Sequence, residues 1–241
     1  MDLTLRISQV TIHTGIEKME SELEAVQRQK RLDMVRTQIE SRGVNSPLVL
    51  EAMRKVPRHS FVPLDKAEHA YEDRPLSIGF NQTISQPYIV AYMTQALRLT
   101  RGEKVLEVGT GLGYQAAVLA SIAREVYTVE RIPQLVQQAQ SVLQELGYTN
   151  VFCRTGDGTM GWPEEAPFDA IMVTASGPNV PEALLDQLAQ GGRLVMPVGK
   201  YRLGQYITRL TKGQGDHLQE EKLLDVAFVP LIGAQGWEER G

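Results

Sequence analysis

From residue 104 onward, apolar residues arrive in short continuous runs set off by glycine, proline or charge. The runs 104–108, 125–130, 151–155, 168–174 and 192–198 are rich in Val, Ile and Leu. Between them, 112–123, 133–146 and 181–188 carry apolar residues at helical spacing. Continuous apolar strands alternating with helices predict a parallel sheet covered on both faces. After Lys200 the period changes. Residues 204–212 and 217–231 alternate apolar and polar, which predicts an antiparallel hairpin turning at 211–215. The fold class expected is α/β, a doubly wound, mostly parallel sheet with added N-terminal helices and a C-terminal antiparallel hairpin.

Ahead of the sheet the pattern is helical. Residues 17–30 are charged and Gln-rich, with Met19, Leu23 and Val26 near one face of a solvent-facing helix. The periodicity continues through Leu32, Met34, Val35 and Ile39 to Gly43, a C′ glycine. Residues 1–14 suit a loose strand or an arm. Ser46 and Pro47 supply an N-cap and an N1 proline for a second helix, which stops before Pro57. The proline-punctuated run 56–63 is expected to be extended. Residues 71–87 show neither helical nor strand period, yet hold Arg74, Asn81, Gln82, Thr83, Ser85 and Gln86. A segment this long without regular structure is expected to be functional or disordered, with a plain Gly/Pro-rich connector as the alternative. Pro87 opens the next helix, over 88–97.

Composition narrows the classes. The net charge is −4 and no basic run stands out, which weighs against nucleic acid as partner. No apolar run approaches the ~20 residues of a membrane span. The first ten residues lack the charged and apolar regions of a signal peptide. Cys153 is the single cysteine, so no intramolecular disulfide forms, and a cytoplasmic protein is expected. Its setting in an apolar run suits a buried strand residue. The four histidines are scattered without ligand spacing, so no metal is expected.

The chemistry gathers at strand ends. In an open α/β sheet, ligands bind beyond the carboxyl ends of the strands. The first such end carries Gly109-Thr110-Gly111-Leu112-Gly113, whose glycines permit φ > 0 and close approach of a ligand to a helix amino end. The second carries Glu130, a carboxylate able to accept from ribose hydroxyls. The third carries Gly156-Asp157-Gly158, with Asp157 able to accept from an adenine amino group. Together they describe an adenosine pocket. Tyr114 replaces the third glycine of a dinucleotide fingerprint, which disfavours a nicotinamide oxidoreductase. Glu107, inside a buried strand, needs a partner. The ammonium of a methionine moiety, or a Lys or Arg of the protein, would serve. S-adenosyl-L-methionine is therefore the expected cofactor.

These residues carry a resemblance. MVRTQIESRGV near Met34, VPRHSFVP near Pro57, AYEDRPLSIGFNQTISQP, VLEVGTGLGYQAAVLA, VYTVERI, RTGDGTMGWP, FDAIMVTAS, GGRLVMPVG and FVPLIG near Phe228 resemble, in order, the protein-L-isoaspartate O-methyltransferase family. The likeness covers roughly 31–233, and Asn81 stands where the family has glycine. It implies a Rossmann-like methyltransferase fold in one domain over 31–233. Within it, 31–99 is helical and carries the substrate loop, 100–200 is the cofactor core and 201–233 the C-terminal β part. Residues 1–30 form an extension and 234–241 a tail. The resemblance implies methyl transfer from S-adenosyl-L-methionine, leaving S-adenosyl-L-homocysteine. The acceptor it implies is the free α-carboxylate of L-isoaspartyl residues in damaged proteins or peptides, whose ester closes to a succinimide and begins repair.

Ser85 is then the catalytic residue. Thr83, Ile84, Ser85, Glu107, Gly109, Thr110, Gly111, Gly113, Glu130, Arg131, Asp157 and Gly158 hold the cofactor, and Gln86, Pro87, Tyr88 and Val229 the substrate. A monomer is favoured, with no nucleic-acid or membrane partner. The alternative readings are a related methyltransferase acting on another carboxylate or small molecule, and a non-catalytic binding protein on the same fold.

Overall fold

The computed structural model describes residues 19, 21–200, 203–215 and 217–239. The expectation for residues 1–14 lies outside them. Helix α1 runs over 21–34. It loosens into a π-helical turn, Val35–Ile39, and tightens into a 3₁₀ turn, Glu40–Arg42. Gly43, at φ 91°, ends it as expected. Met19, Leu23 and Val26 are exposed, as a solvent-facing helix requires.

Helix α2 is Pro47–Lys55, and its buried Val49, Leu50, Ala52 and Met53 form one face. Ser46 precedes it without making a side-chain cap; the Gln95 amide oxygen accepts from the Ser46 and Asn45 N–H groups instead. The run 56–63 is not extended throughout, because Arg58–Phe61 forms a 3₁₀ turn that buries Arg58 and Phe61.

Residues 71–87 depart most from expectation. Strands β1 (Leu76–Gly79) and β2 (Gln82–Ile84) pair antiparallel. Phe80 and Asn81 turn between them at φ 51° and 56°, the left-handed pair of a tight hairpin. Asparagine tolerates that conformation better than most residues, which accounts for Asn81 at a glycine position. Helix α3, Pro87–Ala96, follows.

The main sheet holds β3 (Lys104–Val108), β4 (Glu125–Glu130), β5 (Val151–Thr155), β6 (Phe168–Val173), β7 (Leu188–Lys200), β8 (Leu203–Lys212) and β9 (Leu218–Val226). The intervening helices are α4 (Tyr114–Ala120), α5 (Pro133–Glu145) and α6 (Glu182–Asp186). Strand order is β5-β4-β3-β6-β7-β8-β9. The first five strands are parallel, and β8 and β9 add antiparallel. The expected hairpin is present, though β9 ends at Val226 and the chain continues through isolated bridges.

Strand alternation sorts the core into two layers. Val105, Val126, Ala170, Met172 and Val195 pack with α2, α3, α4 and α5. Leu106, Val108, Tyr127, Val129, Ile171, Val173 and Met196 pack on the opposite face with Leu184 of α6. β5 is an edge strand, so burial there is partial: Phe152 is 41% exposed and stacks on Tyr127. Cys153 is likewise only half-buried, and burial pushes its thiol up to about 12. The order reverses between β3 and β6, which opens a crevice at their carboxyl ends.

Candidate active site

The crevice is built from the two strand ends that flank the reversal. Gly109 follows β3 at φ 97°. Its N–H donates to the Val129 carbonyl at 2.8 Å. A Cβ on Gly109 would fall 2.3 Å from Thr174 Oγ1, whose hydroxyl donates to the Gly109 carbonyl at 2.8 Å. Only glycine therefore fits between the two strand tips. Gly111, at φ 54°, has Ile78 of β1 beside it, so the hairpin closes over the glycine turn. The resulting cleft is lined by Thr83, Ile84, Ser85, Gly109, Thr110, Gly111 and Thr174, among others.

Glu107 lies beneath this turn and is fully buried. Thr128 Oγ1 donates to its Oε2, and Thr110 Oγ1 shares a 2.6 Å hydrogen bond with Thr128 Oγ1. Oε1 has no partner. Among the described residues no Lys or Arg pairs with Glu107, so the protein-cation alternative is not realised. Burial pushes its carboxyl up to about 8; the Thr128 hydrogen bond opposes this and the nearby Glu130 adds to it. A buried carboxylate oxygen without a partner, beside a glycine turn, fits an ammonium group.

Glu130 is also buried. Its Oε2 accepts from the Gly111 N–H at 3.1 Å and its Oε1 from the Ile132 N–H at 3.1 Å. It braces the glycine turn while keeping further lone pairs. Asp157 caps the 3₁₀ turn Gly158–Met160, accepting at Oδ1 from the N–H and hydroxyl of Thr159. Its Oδ2 accepts from the Ala234 N–H at 2.7 Å. The tail thus crosses this strand tip, and Gln235 and Trp237 fasten it to Thr159 and Ser176. A Cβ on Gly158 would collide with Val108 at 2.4 Å, which brings this turn against β3.

Gly113 and Arg131, two further expected cofactor residues, make contacts of their own with the protein. Gly113 caps α4 at φ 94°, and a Cβ there would meet Ala139 and Leu143 of α5 at 3.3 Å. It serves helix packing. Arg131 is exposed and pairs with Glu239 at 2.8 Å.

Beside the cleft runs a wider groove of about 590 Å³. Arg42, Pro75, Gln86, Tyr88, Phe228 and Val229 line it, and Thr83, Ser85, Ile89 and Thr174 line cleft and groove alike. Pro87 is the buried first residue of α3 and fixes where Gln86 and Tyr88 sit. The Ser85 hydroxyl has no hydrogen-bond partner among the described residues.

Sequence reasoning missed Thr174, Ile78, Ile89, Arg42 and Phe228 as lining residues. Thr174 could have been found, because it ends the fourth strand at the same edge. Among the described residues no group of three or more His, Cys, Asp or Glu is placed to hold a metal. His59 bonds Tyr71 at 2.7 Å, away from both cavities.

Sheet order, glycine turn and acidic strand tips define a nucleoside-binding methyltransferase of the Rossmann-like class. The sequence profile of the "Protein-L-isoaspartate(D-aspartate) O-methyltransferase (PCMT)" family matches residues 28–236, and the chain belongs to that family. A protein-L-isoaspartate O-methyltransferase 1 of Syntrophobacter fumaroxidans is 57% identical over 205 residues, covering 85% of this chain and 95% of the relative. One from Gloeobacter violaceus is 57% identical, covering 82% and 96%. Among solved structures, a protein-L-isoaspartate O-methyltransferase aligns with TM-score 0.76 and 31% identity, covering 87% of this chain and 67% of that one. A Plasmodium falciparum structure described as a "putative protein-L-isoaspartate O-methyltransferase beta-aspartate methyltransferase (PCMT)", in complex with S-adenosyl-L-homocysteine, aligns at TM-score 0.73 and 25% identity, covering 84% and 98%.

Substitutions separate the two outer tips. Glu130→Ala and Asp157→Ala are each expected to weaken S-adenosyl-L-homocysteine binding by ~1–3 kcal/mol, as for a lost charged or buried hydrogen bond. Calorimetric titration checks this, and undiminished affinity in both variants would contradict the pocket.

Proposed function

We propose that this chain methylates the α-carboxylate of L-isoaspartyl residues in proteins and peptides, with Ser85 orienting the carboxylate at the junction of cleft and groove. The observation that carries this is the shared wall. Thr83, Ser85, Ile89 and Thr174 face both cavities, so a donor in one and a peptide in the other meet there. A groove of about 590 Å³ suits a chain segment better than a small carboxylate, so the alternative substrate gains no support from it.

S-adenosyl-L-methionine, when bound, supplies an activated methyl group to a carboxylate oxygen. Glu107 would hold its ammonium, with Gly109 and Gly111 leaving room for its close approach. Glu130 and Asp157 would hold the nucleoside, and Thr83, Ile84, Thr110 and Gly158 the surrounding wall. Gly113 acts by seating α4, and Arg131 by tying the tail. The acceptor carboxylate is ionised at neutral pH, so no general base is required. Ser85 donates one hydrogen bond to it and leaves the second oxygen free. Alignment and exclusion of water supply the rate. Gln86, Tyr88 and Val229 contact the peptide, and Pro87 fixes the backbone between them.

We assign the methyltransferase domain to 31–233, with 31–99 presenting substrate, 100–200 holding donor and 201–233 completing the groove. Residues 1–30 are an extension and 234–241 a tail. A monomer in the cytoplasm, acting without nucleic acid, membrane or metal, belongs to the same reading. Among the described residues no helix is long and apolar enough to cross a membrane.

The test is a paired assay. Two peptides identical except for isoaspartyl or aspartyl at one position are incubated with methyl-labelled donor. Label is expected in the isoaspartyl peptide alone. Equal labelling, or none, would end the reading.

A further inference from the structure

Among the described residues, two charged side chains line the groove, Arg42 and Asp225. Asp225 pairs with Lys222 of its own strand at 3.1 Å and is 82% exposed. Arg42 is held in another way. It closes the 3₁₀ turn before Gly43. Its guanidinium lies 3.5 Å over the Tyr88 ring, and Nη1 donates to Asp73 Oδ2 at 2.7 Å. The Asp73 carbonyl in turn accepts from the Gln86 side chain at 3.0 Å. Arg42 is thereby tied to two residues of the groove wall, Tyr88 and Gln86.

A guanidinium carries five N–H donors in one plane. Tyr88 covers a face and Asp73 takes one donor. The side chain is still 44% exposed, so a donor edge remains for a ligand. A free surface arginine loses rotamer entropy when it pairs; this one is already ordered. Planar donors held in place suit a carboxylate. The reacting carboxylate is a poor candidate, because a bidentate guanidinium would draw charge from the oxygen that must attack.

We infer that Arg42 is a specificity-determining residue that recognises a second carboxylate on the substrate, an Asp or Glu side chain or a free C-terminus close to the isoaspartyl residue. This rests on reading the groove as the peptide site. Asp73 offsets part of the charge, so the gain lies in oriented hydrogen bonds and is modest.

The experiment uses the full chain and a peptide series. Glu, Gln or Lys is placed at each position flanking isoaspartyl, and each peptide is also made with a free or amidated C-terminus. The series expects a KM two- to fivefold lower for acid than for amide at one position, the range of an exposed ion pair, with kcat unchanged. Arg42→Gln is expected to erase that difference, and Arg42→Glu to turn it toward Lys. Which arm responds separates a side chain from a C-terminus.

A uniform rise in KM for all peptides in Arg42→Gln would overturn the inference in favour of a purely structural role. So would an acid preference that survives the substitution, or its absence from the unsubstituted protein. Should Arg42→Gln not fold, salt decides. The acid preference must shrink as ionic strength rises, and a preference indifferent to salt overturns the inference. Failure of every isoaspartyl peptide to accept methyl would instead count against the broader reading.

Discussion

Ser85→Ala is expected to lower kcat ten- to thousandfold while leaving donor affinity nearly unchanged. The hydroxyl sits where cleft and groove meet and has no hydrogen-bond partner among the described residues. Its removal therefore costs the fold no hydrogen bond among the described residues. On the function proposed above, what is lost is a donor aimed at the reacting carboxylate. Loss of one positioned donor of this kind typically costs 10²–10³ in rate. An interaction made with the acceptor should appear in the chemical step, so single-turnover rates at saturating donor and peptide are the measurement. Calorimetric titration with S-adenosyl-L-homocysteine supplies the control. Unaltered single-turnover rates in a folded variant would remove Ser85 from the mechanism.

The position of Ser85 shows what the sequence can disclose and what it cannot. Strands β3, β4 and β5 were legible to the residue, because continuous Val, Ile and Leu bounded by glycine or charge has few other meanings. The common edge of the tips that follow them was legible too, since parallel strands all end on one side of the sheet. The hairpin carrying Ser85 toward the cleft was not. β1 and β2 span four and three residues, too few for a period to register. Their turn is Phe80-Asn81, without the Asn-Gly order that marks such turns.

Arg58 was hidden for a different reason. Arg58 is fully buried, bonding the Ala70 carbonyl at 2.8 Å and lying 4.8 Å over the Tyr114 ring. Arginine is rarely interior, and no local pattern announces one. The strand tip marks Asp157 as a candidate nucleoside ligand and discloses nothing of its other partner. Its bond to Ala234 joins positions 77 residues apart, a contact that no periodicity encodes.

Glu107 supports the last expectation, which couples the donor to pH. In the free protein burial holds this carboxyl near 8, against an ordinary value of 4.5. Folding therefore takes up a proton at every pH between those values. The stability this carries is present in full below about 4.5 and is lost as pH rises through about 8. Of the groups beside it, Thr128 is neutral and the Cys153 thiol stays protonated to about 12.

An ammonium placed against the unpartnered Oε1 favours the ionised form. Binding must then release a proton below pH 8, and affinity should rise by up to about tenfold per pH unit from 6 toward 8. Calorimetry in buffers of different ionisation heat counts the proton directly. A deaminated analogue of S-adenosyl-L-homocysteine should show neither the release nor the slope. Glu107→Gln should flatten the pH dependence and weaken the amino-bearing ligand by about 10- to 1000-fold at pH 8. That weakening corresponds to ~1.4–4 kcal/mol for a charged partner lost from a buried site. The same variant, free of ligand, should melt higher than the unsubstituted protein at pH 8–9, since no unpaired buried carboxylate remains to ionise. A structural glutamate would give the reverse, a lower melting temperature and unchanged affinity. Flat affinity from pH 6 to 8 in the unsubstituted protein, with no proton released, would separate Glu107 from the donor altogether.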